Sequence, residues 1–242
     1  MKLIVAGATG LVGTEIIKQS LKIPVITSVI ALARRPLKIE DEPGVDSSKV
    51  KSVVVKDYGE YSDDVKSEFA GADVCIWTVA VTPFRMSSFE FAEVKRVCQT
   101  CTFAGFTAMY EAGPARPFRF IYFSAEGTPF DLSKKPRIMG DYQIMRGETE
   151  HMVLDLPKQY KDVEVCIPHP GVVTNSTTWG RAVLASVLKT TNAITFNNGP
   201  PNVTRSQLAA AVLEQAVSGF EKQMLTNNDL VRIGTAALKK KY

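Results

Sequence analysis

One feature at the start of the chain constrains it more than any other: the apolar run Leu3-Ile4-Val5-Ala6 passes directly into Gly7-Ala8-Thr9-Gly10-Leu11-Val12-Gly13. The residues from Leu11 to Leu21 then repeat apolar side chains at helical spacing. Strand, glycine turn and helix follow one another without a gap. Gly7 permits the tight turn, Gly10 lets backbone approach a pyrophosphate, and Gly13 lets helix and strand pack closely. A tight turn with no ligand would use the same spacing. Placement between a strand and a helix N-terminus, where unpaired amides meet phosphates, points instead to dinucleotide binding.

The rest of the chain repeats that alternation. Val25 to Ala33, Val50 to Val55, Asp73 to Val79, Arg119 to Phe123 and Val163 to Ile167 read as further strands. Helical spacing lies between them at Val65 to Phe69, Phe89 to Tyr110 and Tyr142 to Leu156. Crossovers of this kind predict an α/β fold, a doubly wound (Rossmann) parallel sheet covered on both faces. From Val172 the alternation loosens. A helix at Gly180 to Lys189, a short strand near Ile194 to Phe196, and helices at Arg205 to Val217 and about Asn228 to Leu238 predict a small C-terminal substrate lobe. The expected organisation is a single NAD(P)-binding domain over residues 1–242, with a cofactor-binding core to about residue 174 and the lobe beyond it. Ligands are expected past the carboxyl ends of the strands.

Composition narrows the class. With 242 residues, 45% hydrophobic and 22% charged, the chain has apolar surface for one sizeable core. A net charge of +4, scattered except at Arg34-Arg35 and Lys239-Lys240-Lys241, gives no clustered basic face, so no nucleic-acid partner is expected. No apolar run approaches the roughly 20 residues of a membrane span. Leu3 to Ala6 enters the turn without a signal-type leader, so a soluble cytoplasmic protein is expected, and the sequons at Asn175 and Asn202 read as chance matches. Cys75, Cys98, Cys101 and Cys166 are expected to be reduced thiols. Cys98-Gln99-Thr100-Cys101 has redox or zinc spacing, but it lies in a helical stretch with no second pair, so two ordinary helix residues and no metal are expected.

The end of the second strand selects the dinucleotide. An acidic residue there would take the ribose hydroxyls of NAD, whereas this chain has Ala33-Arg34-Arg35. Arginine pairs with a 2′-phosphate and stacks on adenine, so NADP(H) is the expected cofactor, with a solvated basic turn as the alternative.

The glycine spacing, the chain length, Tyr142 and Pro170-Gly171 together resemble the short-chain dehydrogenase/reductase superfamily. The opening is similar to its atypical branch, the NmrA-like and Tat-interacting-protein-like members. The resemblance runs to about Thr174. It implies that Asp57 takes the adenine amino group, that Thr78-Val79-Ala80 passes the adenosine ribose, that Val173 backbone holds the nicotinamide carboxamide after Pro170-Gly171, and that Thr174 approaches the phosphates. It also implies a Tyr-x-x-x-Lys pair one helical turn apart, the lysine on the ribose and the tyrosine exchanging a proton with substrate. Here the segment is Tyr142-Gln143-Ile144-Met145-Arg146-Gly147-Glu148-Thr149-Glu150, with Arg146 in the lysine's place. Arg146 keeps charge and reach but cannot relay a proton as lysine does. Ser124-Ala125-Glu126-Gly127 resembles the branch's Ser-Ser-x-Gly; if the second serine orients the substrate oxygen, Ala125 holds its place. Catalytic candidates are Tyr142, Arg146 and Ser124. Glu148 and Glu150 read as solvated helix residues, and His169 as packing beside the prolines.

The expected function is an NADP(H)-dependent oxidoreductase of a small organic carbonyl or alcohol, with Trp77, Phe84, Met86, Trp179 and Phe196 as candidates equally for a pocket lining and for the core. The alternatives are an NADP(H)-sensing regulator of NmrA-like type, and a non-redox isomerase or cyclase retaining the nucleotide. A homodimer is left open.

Overall fold

Successive side chains of β1 (Lys2–Ala6) leave for opposite sides: Leu3 and Val5 enter one core, Ile4 and Ala6 the other, each fully buried. A strand buried on both faces reads as an unbroken apolar run, as a parallel sheet between helix layers requires. The computed structural model describes residues 1–38, 46–174 and 202–240, apart from the Phe84 side chain.

β2 (Ser28–Ala33), β3 (Val50–Val54), β4 (Val74–Trp77), β5 (Phe118–Tyr122), β6 (Val163–Pro168) and the two-residue β9 (Met224–Leu225) complete a seven-stranded sheet, in the order β3-β2-β1-β4-β5-β6-β9. Every pairing is parallel. Strand order reverses between β1 and β4, which opens a crevice beyond their carboxyl ends. The fold is thus the doubly wound Rossmann type. β9 lies outside the expected strands because two residues carry no periodicity. A separate parallel pair joins β7 (Val172–Thr174) to β8 (Asn202–Thr204).

One face carries α1 (Leu11–Ser20), α6 (Arg205–Ser218) and α7 (Asn227–Ala237), whose Ile16, Leu208, Val212 and Leu230 share a core with Leu3 and Val5. The last two helices were expected in an appended lobe. They instead cover the sheet, because the run Leu208-Ala209-Ala210-Ala211-Val212-Leu213 is buried throughout. A Cβ at Gly234 would lie 2.0 Å from the Gln207 carbonyl oxygen, which fixes how closely α7 approaches α6. The expected helix at Gly180 to Lys189 and strand near Ile194 to Phe196 lie outside the described residues.

The other face carries α2 (Asp63–Ser67), a rod made of α3 (Phe91–Lys95), a π-helical turn at Arg96–Thr100 and α4 (Cys101–Glu111), and α5 (Gly140–Gln159). Phe106 sits at its centre, with its ring centroid 5.3 Å from that of Phe120 and 4.9 Å from that of Tyr160. The sequence predicts one uninterrupted helix where the π turn stands; side-chain spacing does not distinguish the two over five residues. Trp77 is fully buried in this core, the second of its two expected places. Gly105 leaves the room it needs, since a Cβ there would lie 2.3 Å from the indole.

Candidate functional site

The β1–α1 turn is built by exclusion of side chains. Gly7 has φ +84°, and a Cβ on it would lie 2.4 Å from the Thr78 hydroxyl oxygen. A Cβ at Gly13 would lie 2.4 Å from the Gly7 carbonyl oxygen. Gly10 caps α1 with no side-chain hydrogen bond, and no acidic residue occupies the first turn. The turn is pinned beneath by Tyr58, whose hydroxyl accepts from the Gly7 amide at 3.2 Å and donates to the Leu32 carbonyl at 3.2 Å. Burial pushes the Tyr58 pKa up to about 12. The result is an uncapped positive helix end that backbone can bring against an anion.

In front of this turn lies a cleft of about 640 Å³ at the reversal point of the sheet. Gly7, Thr9, Gly10, Thr78, Val79 and Ala80 line its inner end. Arg34, Arg35, Lys56, Arg85 and Arg96 bring five cations to it, against Asp57 and Glu93. Arg34 and Arg35 are exposed at the end of β2. The Thr78 hydroxyl is turned inward and donates to the Ala6 carbonyl at 2.8 Å. Leu11, Val12 and Gly13, also expected at the cofactor, form the first turn of α1.

Asp57 is not free at the cleft edge. Its carboxylate accepts from the Gly59 amide at 2.7 Å and from Arg96 Nη1 at 3.0 Å. The hydrogen bond from Arg96, then that from Gly59, hold its pKa below the usual carboxylate range. Arg96 also grips Glu93 through Nε at 2.7 Å and Nη2 at 2.8 Å. No signal short of the folded rod links Arg96 to Asp57, 39 residues apart.

Tyr142, Arg146 and Ser124 come together, but none lines that cleft. Tyr142 is 8% exposed, and its hydroxyl donates to the Val81 carbonyl at 3.1 Å. Burial raises its pKa, partly offset by the Arg146 charge. It packs with Val81, Val94, Cys98 and Met145, with Met86 against them. Cys98 is therefore a core thiol and Cys101 another; all four cysteines are free and buried. Arg146 is 3% exposed, donates through Nη2 to the Phe123 carbonyl and lies over the Tyr122 ring at 4.9 Å. Its Nη1 is buried with no partner among the described residues.

One helical turn on, Glu150 corrects the sequence reading. It is 1% exposed, accepting from the Ser124 hydroxyl and meeting His169 Nε2 at 3.0 Å. Ser124 also shares a hydrogen bond with the Thr128 hydroxyl at 3.2 Å. Only Glu148 of the two glutamates behaves as a partly solvated residue, 3.4 Å from Lys95. His169 is more than packing, since its ring pairs with this carboxylate. The missed signal was spacing: Glu150 stands four residues after Arg146, one turn on along the same inward face.

Pro170 and Gly171 lead into β7. The Gly171 amide donates to Asn227 Oδ1 at 2.9 Å, and Asn227 Nδ2 donates to the Asn202 carbonyl at 3.1 Å. Val173 and Thr174 pair with Val203 and Thr204. Trp179 and Phe196 lie outside the described residues, as does the Phe84 side chain.

The residues present fit a dinucleotide: a turn in which Gly7 and Gly13 admit no Cβ, a helix end without a cap, and a cleft that gathers five cations. No family model matches the chain. A 90-residue stretch is 32% identical to protein FMP52, mitochondrial, of Candida albicans, and covers 37% of this chain and 38% of that protein's length. Among solved structures, MoeE5 in complex with UDP-glucuronic acid and NAD superposes over 93% of this chain and 75% of its own, with TM-score 0.67 and 16% identity. A short-chain dehydrogenase/reductase from Saccharomyces cerevisiae covers 96% and 98%, with TM-score 0.62 and 14% identity. UDP-glucose 4-epimerase from Thermotoga maritima covers 98% and 82%, with TM-score 0.66 and 13% identity. At such identities the likeness establishes the Rossmann fold shared with these proteins. Among the described residues, no helix is long and apolar enough to cross a membrane.

Proposed function

We propose that the chain is a nicotinamide-dinucleotide-dependent oxidoreductase of the short-chain dehydrogenase/reductase type, preferring NADP(H) and acting on a carbonyl or alcohol of a small organic molecule. The observation that carries the reading is the cleft in which the uncapped α1 turn faces Arg34 and Arg35. Gly7, Thr9 and Gly10 would receive the pyrophosphate, Thr78 to Ala80 the ribose, and Arg34 with Arg35 a 2′-phosphate. A nicotinamide dinucleotide bound there supplies a hydride donor or acceptor. MoeE5, which is solved with NAD, and the UDP-glucose 4-epimerase support the class.

Within that reading, Tyr142 moves a proton at its hydroxyl. The Val81 carbonyl holds that hydroxyl in one orientation, and Arg146 sets a positive charge one turn away. The Ser124 hydroxyl is tied to Glu150 and Thr128. Titration of the purified chain with NADPH and NADH tests the cofactor. Arg34→Ala with Arg35→Ala is expected to weaken NADPH binding about tenfold or more and leave NADH unchanged, the scale of a lost charge-assisted contact. Equal affinity for both dinucleotides in the parent chain would overturn the NADP(H) preference.

One observation favours a second reading, an NADP(H)-sensing regulator: the Tyr142 hydroxyl is spent on backbone and lies outside the cleft lining. Partner capture with and without NADPH, beside NADPH consumption across a carbonyl panel, separates the two. Cytoplasmic residence belongs to the same proposal; the name of the Candida relative includes a mitochondrial address, and cell fractionation decides between them.

A further inference from the structure

Arg96 enters the cleft from the π turn with 41% of its side chain exposed. All three of its nitrogens have carboxylate partners. Nε and Nη2 donate to the two oxygens of Glu93, and Nη1 lies 3.0 Å from both oxygens of Asp57. Hydrogen bonds to a guanidinium lie in its plane, so these contacts fix that plane and leave its flat face uncovered by them. Asp57, for its part, already takes the Gly59 amide and the Arg96 charge. A base amino group arriving there meets a carboxylate whose charge is answered.

Resting on the dinucleotide reading above, we propose that Arg96 is the platform on which the nucleobase of the cofactor stacks, and that Asp57 and Glu93 hold this platform instead of reading the base. Planar, weakly hydrated guanidinium stacks well on aromatic rings. Stacking tolerates any base because every base has a π face, whereas a carboxylate reading an amino group rejects a base that lacks one. The cleft therefore selects its dinucleotide by the phosphate on the ribose and is permissive toward the base. A π turn begins at Arg96, and such turns recur at functional sites.

The test is calorimetric titration of the full chain with NADPH and with its hypoxanthine counterpart, in which the adenine amino group is replaced by a keto oxygen. Dissociation constants within about threefold of each other are expected in the parent chain, the mark of stacking. Arg96→Ala is expected to weaken both forms about tenfold, and Arg96→Lys, which keeps charge but removes the plane, to weaken them equally. A parent chain that binds the adenine form tenfold or more tightly, with the preference lost in Asp57→Asn, overturns the inference and leaves the dinucleotide reading standing. So does unchanged affinity in Arg96→Ala. Failure of the folded parent chain to bind either form sinks both readings together.

Discussion

Arg146 carries a buried charge on a single backbone carbonyl and a tyrosine face. Beside it, Glu150 holds two partners, the Ser124 hydroxyl and the His169 ring. Glu150→Ala would strand Ser124 and His169 together, and is expected to cost about 3–5 kcal/mol in chemical denaturation, the range for breaking a buried charged network. Glu150→Gln keeps acceptor and volume and should cost less; equal losses for the two would mean that charge is not what Glu150 supplies. Tyr142→Phe removes one hydrogen bond, worth about 1 kcal/mol in stability. If Tyr142 is the proton donor, the same change lowers kcat by about 10²–10⁴ with NADPH affinity unaltered; an unaltered kcat would end that assignment. At this scale the sequence is legible where backbone dictates the residue. Gly7 and Gly13 announce themselves because no side chain fits. Glu150 does not, since an acidic residue in a charged helical stretch reads as solvated until β5 and the Pro168-His169 segment are folded against it.

The helices show a second limit. Thr226 and Asp229 form a capping box at the head of α7, and Lys222 lies 2.7 Å from the Asp229 carboxylate. Burial raises the pKa of Asp229, but hydrogen bonds from Lys222 and Thr226 outweigh it and hold the value at about 2. A depressed carboxylate stabilises the fold above its unfolded pKa and loses that contribution as pH falls through the folded one. Acid titration should therefore cost about 2 kcal/mol between roughly pH 4 and pH 2. Asp229→Asn should abolish that segment of the curve; persistence of it would place the acid-labile group elsewhere. Tyr58 has the opposite sign, with stability present below about pH 10 and lost toward about pH 12, as its raised pKa requires. Long, periodic elements such as α1, β2 and α5 were legible to within a few residues, because periodicity accumulates with length. β9 and the π turn were not, being too short to show a period.

For the whole molecule, a doubly wound parallel sheet follows from the alternation of strands and crossovers, but which helices cover which face does not. α6 looks in sequence like a helix of a separate lobe, and only its all-round burial against α1 and α7 assigns it to the sheet. Gly234→Ala tests that assignment: the Cβ would strike the Gln207 carbonyl oxygen, and a lowered melting temperature is expected, while an unchanged one would mean α7 is not docked as described. The rod of α3, π turn and α4 has a further consequence, one of phase. Val94 and Cys98 face Tyr142 before the turn is complete, and Gly105 and Phe106 face Trp77 and Phe120 after it. Deleting a single residue within 101–104, in the regular helix after the turn, would swing everything downstream by about 100°. The bulky Phe106 would then arrive where Gly105 now clears the indole, so this helix tolerates substitution far better than it tolerates a change in count.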